Sequence, residues 1–132
     1  MTSIIREFDI AADEKPAWDA LADVAVVNKI ITFLGPVTYE GDVRKIDMGE
    51  YGIIEELIVA IDHDEQRVAY SVQNSPWNLV HHHSTMQILP PTAGAAGARL
   101  RWVVDLKPDS AAEEFAAGME NAIASLKSTL RG

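Results

Sequence analysis

The chain has 132 residues, 20 of them acidic and 11 basic, for a formal net charge of −9, with 48% hydrophobic residues and no cysteine. This length and balance fit one globular domain, 1–132, large enough for a core of its own. The missing cysteines exclude disulfides, thiolate zinc sites and cysteine nucleophiles, and the negative charge repels phosphate backbones and anionic bilayers, so neither nucleic acid nor a membrane is an expected partner.

Residues 3–10 alternate loosely and predict a strand. Asp13 stands where it can cap a helix, Pro16 is tolerated in the first turn, and Trp18, Leu21 and Ala22 then share a face. Val27, Ile30, Ile31 and Leu34 repeat the i, i+3, i+4, i+7 spacing and predict a second short helix, ended by Gly35-Pro36. The first residues lack the apolar core of a secretory leader, and the hydrophobic stretch at 24–34 is too short to span a bilayer, so a cytoplasmic protein is expected.

From 37 to 106, six short runs rich in Val, Ile, Tyr and Thr are separated by turn chemistry at 40–42, 48–52, 63–65, 75–77 and 90–97. Connections this short join antiparallel neighbours, so the runs form a meander. A helix closes the chain. Ser110-Ala111-Ala112-Glu113 reads as a capping box, and Phe115, Met119, Ala122, Ile123, Leu126 and Leu130 form one apolar stripe. Glu113 and Glu114 at its start and Lys127 and Arg131 at its end suit the helix dipole. The stripe and the apolar face of the meander need each other as cover. The expected class is α+β: a curved seven-stranded antiparallel sheet wrapped around a long C-terminal helix, with two short helices after the first strand.

Several strings in this order carry a family resemblance. They are Pro16-Ala17-Trp18-Asp19-Ala20-Leu21-Ala22-Asp23 and Gly52-Ile53-Ile54-Glu55-Glu56-Leu57 running on to Asp62, then Arg67-Val68-Ala69-Tyr70-Ser71-Val72. Met86-Gln87-Ile88-Leu89-Pro90, Ala98-Arg99-Leu100-Arg101-Trp102 and Asp105-Leu106-Lys107-Pro108 follow. Together they resemble the polyketide cyclase branch of the START-like (SRPBCC) superfamily over nearly the whole chain. The resemblance implies the helix-grip fold and a cavity between sheet and helix. Its members include aromatase/cyclases, lipid and hormone binders and a few lyases, so it fixes no single activity.

Strand periodicity selects the residues facing that cavity. Pairing Asp62 with Gln66 and Asn74 with Asn78 puts Ile54, Glu56, Ile58, Tyr70, Val72, Val80, His82, Ser84, Met86 and Ile88 on one face, joined by Leu100, Trp102, Val104 and Leu106. The expected ligand-binding set is Ile54, Ile58, Tyr70, Val72, His82, Ser84, Met86 and Trp102 from the sheet and Phe115 and Met119 from the helix, with Tyr51 and Trp77 at the mouth. Glu56, Tyr70 and His82 are the candidates for acid–base work in a dry pocket, against the plainer reading of Tyr70 and His82 as a satisfied cross-strand pair.

His81 and His83 share the opposite face, and without further ligands they read as a solvated strand surface, so no metal is expected. No cofactor motif is present: Gly94-Ala95-Ala96-Gly97 lacks the strand-to-helix context of a phosphate loop, and Ser71, Ser75 and Ser84 lack a nucleophile elbow. Ile53, Leu57, Val59 and Ile61 make the other face of their strand apolar as well, which suggests a homodimer. Three functions stay open: a binder of a small apolar or aromatic molecule, a cyclase or dehydratase acting on a polyketide-like substrate, and a filled-core interaction protein without a ligand.

Overall fold

Seven segments form strands β1 (Thr2–Asp9), β2 (Val37–Glu40), β3 (Val43–Asp47), β4 (Ile53–Asp62), β5 (Arg67–Asn74), β6 (His81–Leu89) and β7 (Arg99–Lys107) in the computed structural model, which describes residues 1–131. Helix α1 (Glu14–Ala22) and a 3₁₀ segment (Val24–Lys29) lie between β1 and β2, and α2 (Ala112–Thr129) follows β7. The strands make one antiparallel sheet in the order β1-β7-β6-β5-β4-β3-β2. This is the predicted α+β architecture. No helix is long and apolar enough to cross a membrane.

Strict alternation shows best in β6 and β7. His82, Ser84, Met86 and Ile88 of β6 and Leu100, Trp102, Val104 and Leu106 of β7 are all buried on one face. Met119, Ala122, Ile123 and Leu126 of α2 are buried against that face. Each large apolar side chain so placed contributes about 1.5–3 kcal/mol.

The segment after α1 departs from its periodicity. The expected helix through Leu34 is a 3₁₀ segment kinked at Val26, ending at Lys29. Tertiary partners replace the helical ones. Ser125 Oγ and Thr129 Oγ1 both donate to the Ile30 carbonyl at 2.9 Å, and Thr32 N–H donates to Ser125 Oγ at 2.9 Å. With its carbonyl held by α2, the chain leaves the helical path. The capping box is also absent: a 3₁₀ turn (Asp109–Ala111) runs straight into α2, so Ser110 already lies in a helical turn.

Register differs at two hairpins. Tyr70 pairs with Ser84, two residues along from the expected His82, because the β5–β6 connection spans residues 75–80 instead of a tight turn. A slip of two residues preserves the face. Val80 is thereby left out of the sheet and is 80% exposed, not inward as expected. In β4 a bulge between Ile58 and Ala60 shifts the alternation. Ile61 therefore packs against the core instead of joining Ile53, Leu57 and Val59 on the exposed outer face.

Gly97 and Ile10 touch where the β6–β7 loop crosses the end of β1. A Cβ on Gly97 would lie 1.8 Å from the Ile10 carbonyl oxygen. The two backbones are locked there by Ile10 N–H donating to Ala98 O and Ala98 N–H donating to Ala12 O, both at 2.9 Å. Gly97→Ala should cost about 1–3 kcal/mol or more, the range for forced overpacking, read as a lower midpoint in urea.

Candidate functional site

The helix does not fill the concave side of the sheet. Between them lies a cavity of about 150 Å³ with mostly apolar walls. The sheet contributes Ile46, Ile54, Val68, Val72, Met86 and Trp102, and the segment before β2 contributes Ile31, Phe33 and Leu34. From α2 come Phe115, Gly118, Met119 and Ala122. Two small residues on the cavity-facing side of the helix leave the space: no heavy atom lies within 4 Å of where a Cβ on Gly118 would stand. Phe33, Glu114 and Gly118 are solvent-exposed and mark the mouth. Trp77 and Phe115 meet edge-on at 5.4 Å and separate the cavity from a more polar hollow beside Pro76, Asn78 and Ser110.

Three residues of the expected ligand-binding set do not line the cavity. Tyr51 is 71% exposed, thrown outward by the 3₁₀ turn Gly49–Tyr51. Ile58 points inward but is packed into the core beside the β4 bulge. Ser84 is fully buried, and its Oγ accepts the Trp102 indole N–H at 2.8 Å, so the indole and not the hydroxyl forms the wall. Ile54, Tyr70, Val72, Met86, Trp102, Phe115, Met119 and Trp77 lie on the lining, as do Glu56 and His82.

Sequence reasoning missed the cavity's cation. Arg44 is 4% exposed and sits opposite Glu56 in the β3–β4 ladder. Its Nε and Nη2 both reach Glu56 Oε1 at 2.7 Å, and Nη1 donates to the Val24 carbonyl at 3.1 Å. The guanidinium carbon stands 5.3 Å from the centre of the Tyr70 ring. The signal was available: Asp47 pairs with Ile53 across the 48–52 turn, and counting back along both strands places Arg44 against Glu56.

His82 holds the junction between β5 and β6. Ladder pairing between these strands ends at Tyr70–Ser84. Beyond it His82 Nδ1 accepts Val72 N–H at 2.9 Å, and the Ser71 hydroxyl donates to the His82 carbonyl. A side chain thus replaces a missing ladder acceptor where the strands part. Burial, followed by the neighbouring His83 and His81, lowers the imidazole pKa to about 4, so the ring is neutral at pH 7. Its Nε2 is buried and has no partner among the described residues. Burial, reinforced by the Glu56 charge, raises the Tyr70 phenol to about 12, so it stays protonated.

Outside the cavity, His81 lies opposite Lys107 and His83 opposite Asp105, on the far side of the sheet from His82. Among the described residues no group of three or more His, Asp or Glu is placed to hold a metal ion.

No family model and no curated protein matches the chain. Solved structures do. The protein XoxI from Bacillus cereus aligns with a TM-score of 0.87 at 16% identity, covering 98% of this chain and 96% of that one. The di-domain ARO/CYC protein BexL aligns with a TM-score of 0.82 at 16% identity over 98% of this chain and 46% of its own. A START superfamily protein from Mycobacterium smegmatis aligns with a TM-score of 0.75 at 12% identity over 97% of this chain and 96% of that one. At such identities the likeness is one of fold, and this chain has the START-like helix-grip fold that polyketide cyclases share.

Proposed function

We propose that the protein binds a small apolar or aromatic molecule in the cavity between the sheet and α2. The observation that carries this reading is the void itself. Protein interiors are packed to crystal density, and here about 150 Å³ behind apolar walls is left unfilled. Apolar walls with a few inward polar groups are the usual form of a small-molecule site. Glu56 is tied by two N–H donors of Arg44, and the lone pair of His82 Nδ1 is taken by a backbone N–H. Neither is a free base, which favours a carrier or sensor over a cyclase or dehydratase.

Gly118→Leu tests this. The new side chain has open space to enter. Replacing a mid-helix glycine should also raise stability by about 0.5–1 kcal/mol. Toluene titrated onto the wild-type protein should give saturable NMR shifts at cavity residues such as Met86 and Met119, and Gly118→Leu should abolish them while raising the urea midpoint. Absence of saturable binding to the wild type would defeat the reading.

A further inference from the structure

His82 Nε2 is left without work by the fold. With Nδ1 accepting the Val72 N–H at 2.9 Å, the ring proton belongs on Nε2. That N–H is buried on a residue 1% exposed, in the wall of the cavity, with no acceptor among the described residues. The groups nearest the ring do not supply one. Tyr70 and Phe115 stand at 5.8 and 5.4 Å between ring centres and are tilted against it. Native interiors seldom leave a buried donor unmatched, because the group has lost its water and gained nothing.

The remaining cavity chemistry narrows what can match it. Arg44 and Glu56 neutralise each other at 2.7 Å and Glu114 is exposed at the mouth, so the buried part of the cavity has no uncompensated charge to meet an ionised ligand, and burying one there would be costly. A volume of about 150 Å³ is that of a cavity which takes up benzene. Trp102, Tyr70 and Phe115 supply ring faces and edges to pack against.

We infer that His82 Nε2–H is the recognition point of this site, and that its ligand is a neutral single-ring molecule bearing one hydrogen-bond acceptor, such as a ring-attached carbonyl, turned toward β6. The inference rests on the cavity being a ligand site and adds the polarity and direction of the ligand. The ring donates a hydrogen bond and transfers no proton, because its other nitrogen is held by the backbone.

Acetophenone and isopropylbenzene have nearly the same shape and differ in the carbonyl, so they separate the two claims. Without a donor the ketone should bind more weakly, since its oxygen loses water on entry. With the donor, the wild-type chain should prefer acetophenone by about five- to tenfold. Only acetophenone should move the His82 Nε2–H resonance downfield. In His82→Asn the amide oxygen can still accept the Val72 N–H, but nothing reaches the position of Nε2. That variant should lose or reverse the preference. Equal or reversed preference in the wild type, with isopropylbenzene still bound, would overturn the role of His82 and leave the cavity reading standing. Binding of neither compound would overturn both. The resonance shift in the wild type decides the matter even where the variant fails to fold.

Discussion

Arg44→Met should destabilise the protein by about 3–5 kcal/mol, and the double change Arg44→Met with Glu56→Leu should recover most of that loss. The single change leaves the Glu56 carboxylate buried, 7% exposed, with both of its 2.7 Å donors gone. It also strips the Val24 carbonyl of its guanidinium donor, which alone costs about 1–3 kcal/mol. The double change removes the charge along with its partner and puts two apolar side chains of similar reach among Ile46, Ile54 and Val72. Buried ion pairs replaced in this way often leave stability unchanged or raised, because desolvating two ions cancels most of their attraction. Urea melts of the four proteins in the cycle give the coupling directly. A single substitution costing under about 1 kcal/mol would mean that the pair is solvated through the mouth and is not a buried bridge. A double variant as unstable as the single one would show that the Val24 contact, and not the charge, is what the guanidinium supplies. A stable double variant would imply that the pair is kept for what it does to the cavity's polarity.

The architecture was legible because it rests on period and order. Alternation in β6 and β7, the stripe on α2 and connections too short for parallel crossovers all follow from residue spacing, and the fold has them. Details resting on a single turn were not legible. The β5–β6 connection was expected to be a tight turn around Pro76, yet it spans six residues, so Tyr70 faces Ser84 and His82 falls diagonal to it. The face survived because the slip was of two residues. The bulge in β4, by contrast, shifts parity, and that is why Ile61 turned out on the wrong side of the expectation. The helix expected through Leu34 failed for a tertiary reason: Ser125 and Thr129 are nearly a hundred residues away in sequence, and their hold on Ile30 leaves no trace in local periodicity. Trp102 shows the same limit. Its place on the cavity face was legible, but not that the indole is 5% exposed and bonded to Ser84, so that a charge put there would be buried in the core and the fold lost with the site. Gly118, invisible to any argument about side chains, is the better place to close the cavity.

His82 should make the protein lose stability as pH falls through the range where an ordinary imidazole takes up its proton. The folded-state pKa lies at about 4 against 6.5 for the free side chain, with burial as the main cause. Above pH 6.5 neither state binds the proton and there is no effect. Between 6.5 and 4 the unfolded chain is protonated at this site while the folded one is not, so the unfolded state gains and stability drops as pH falls. Below about 4 both are protonated and the loss is complete, at roughly 3 kcal/mol for the full shift. Carboxylates begin to titrate below about pH 5, so the informative interval is pH 7 to 5, where about 2 kcal/mol of the loss should already appear. The groups facing the ring do not blur that interval. Tyr70 stays protonated with its pKa at about 12, Phe115 does not titrate, and Arg44 and Glu56 are locked together on the far side of Val72. His81 and His83 point to the opposite side of the sheet. His82→Asn keeps an acceptor for the Val72 N–H and removes the titration, so its urea midpoint should change far less than the wild type's between pH 7 and 5. Parallel curves for the two proteins would mean that the imidazole takes its proton in the folded state at an ordinary pH. The Val72 N–H would then not hold Nδ1, and the tautomer that puts the donor on Nε2, on which ligand recognition depends, would not be fixed.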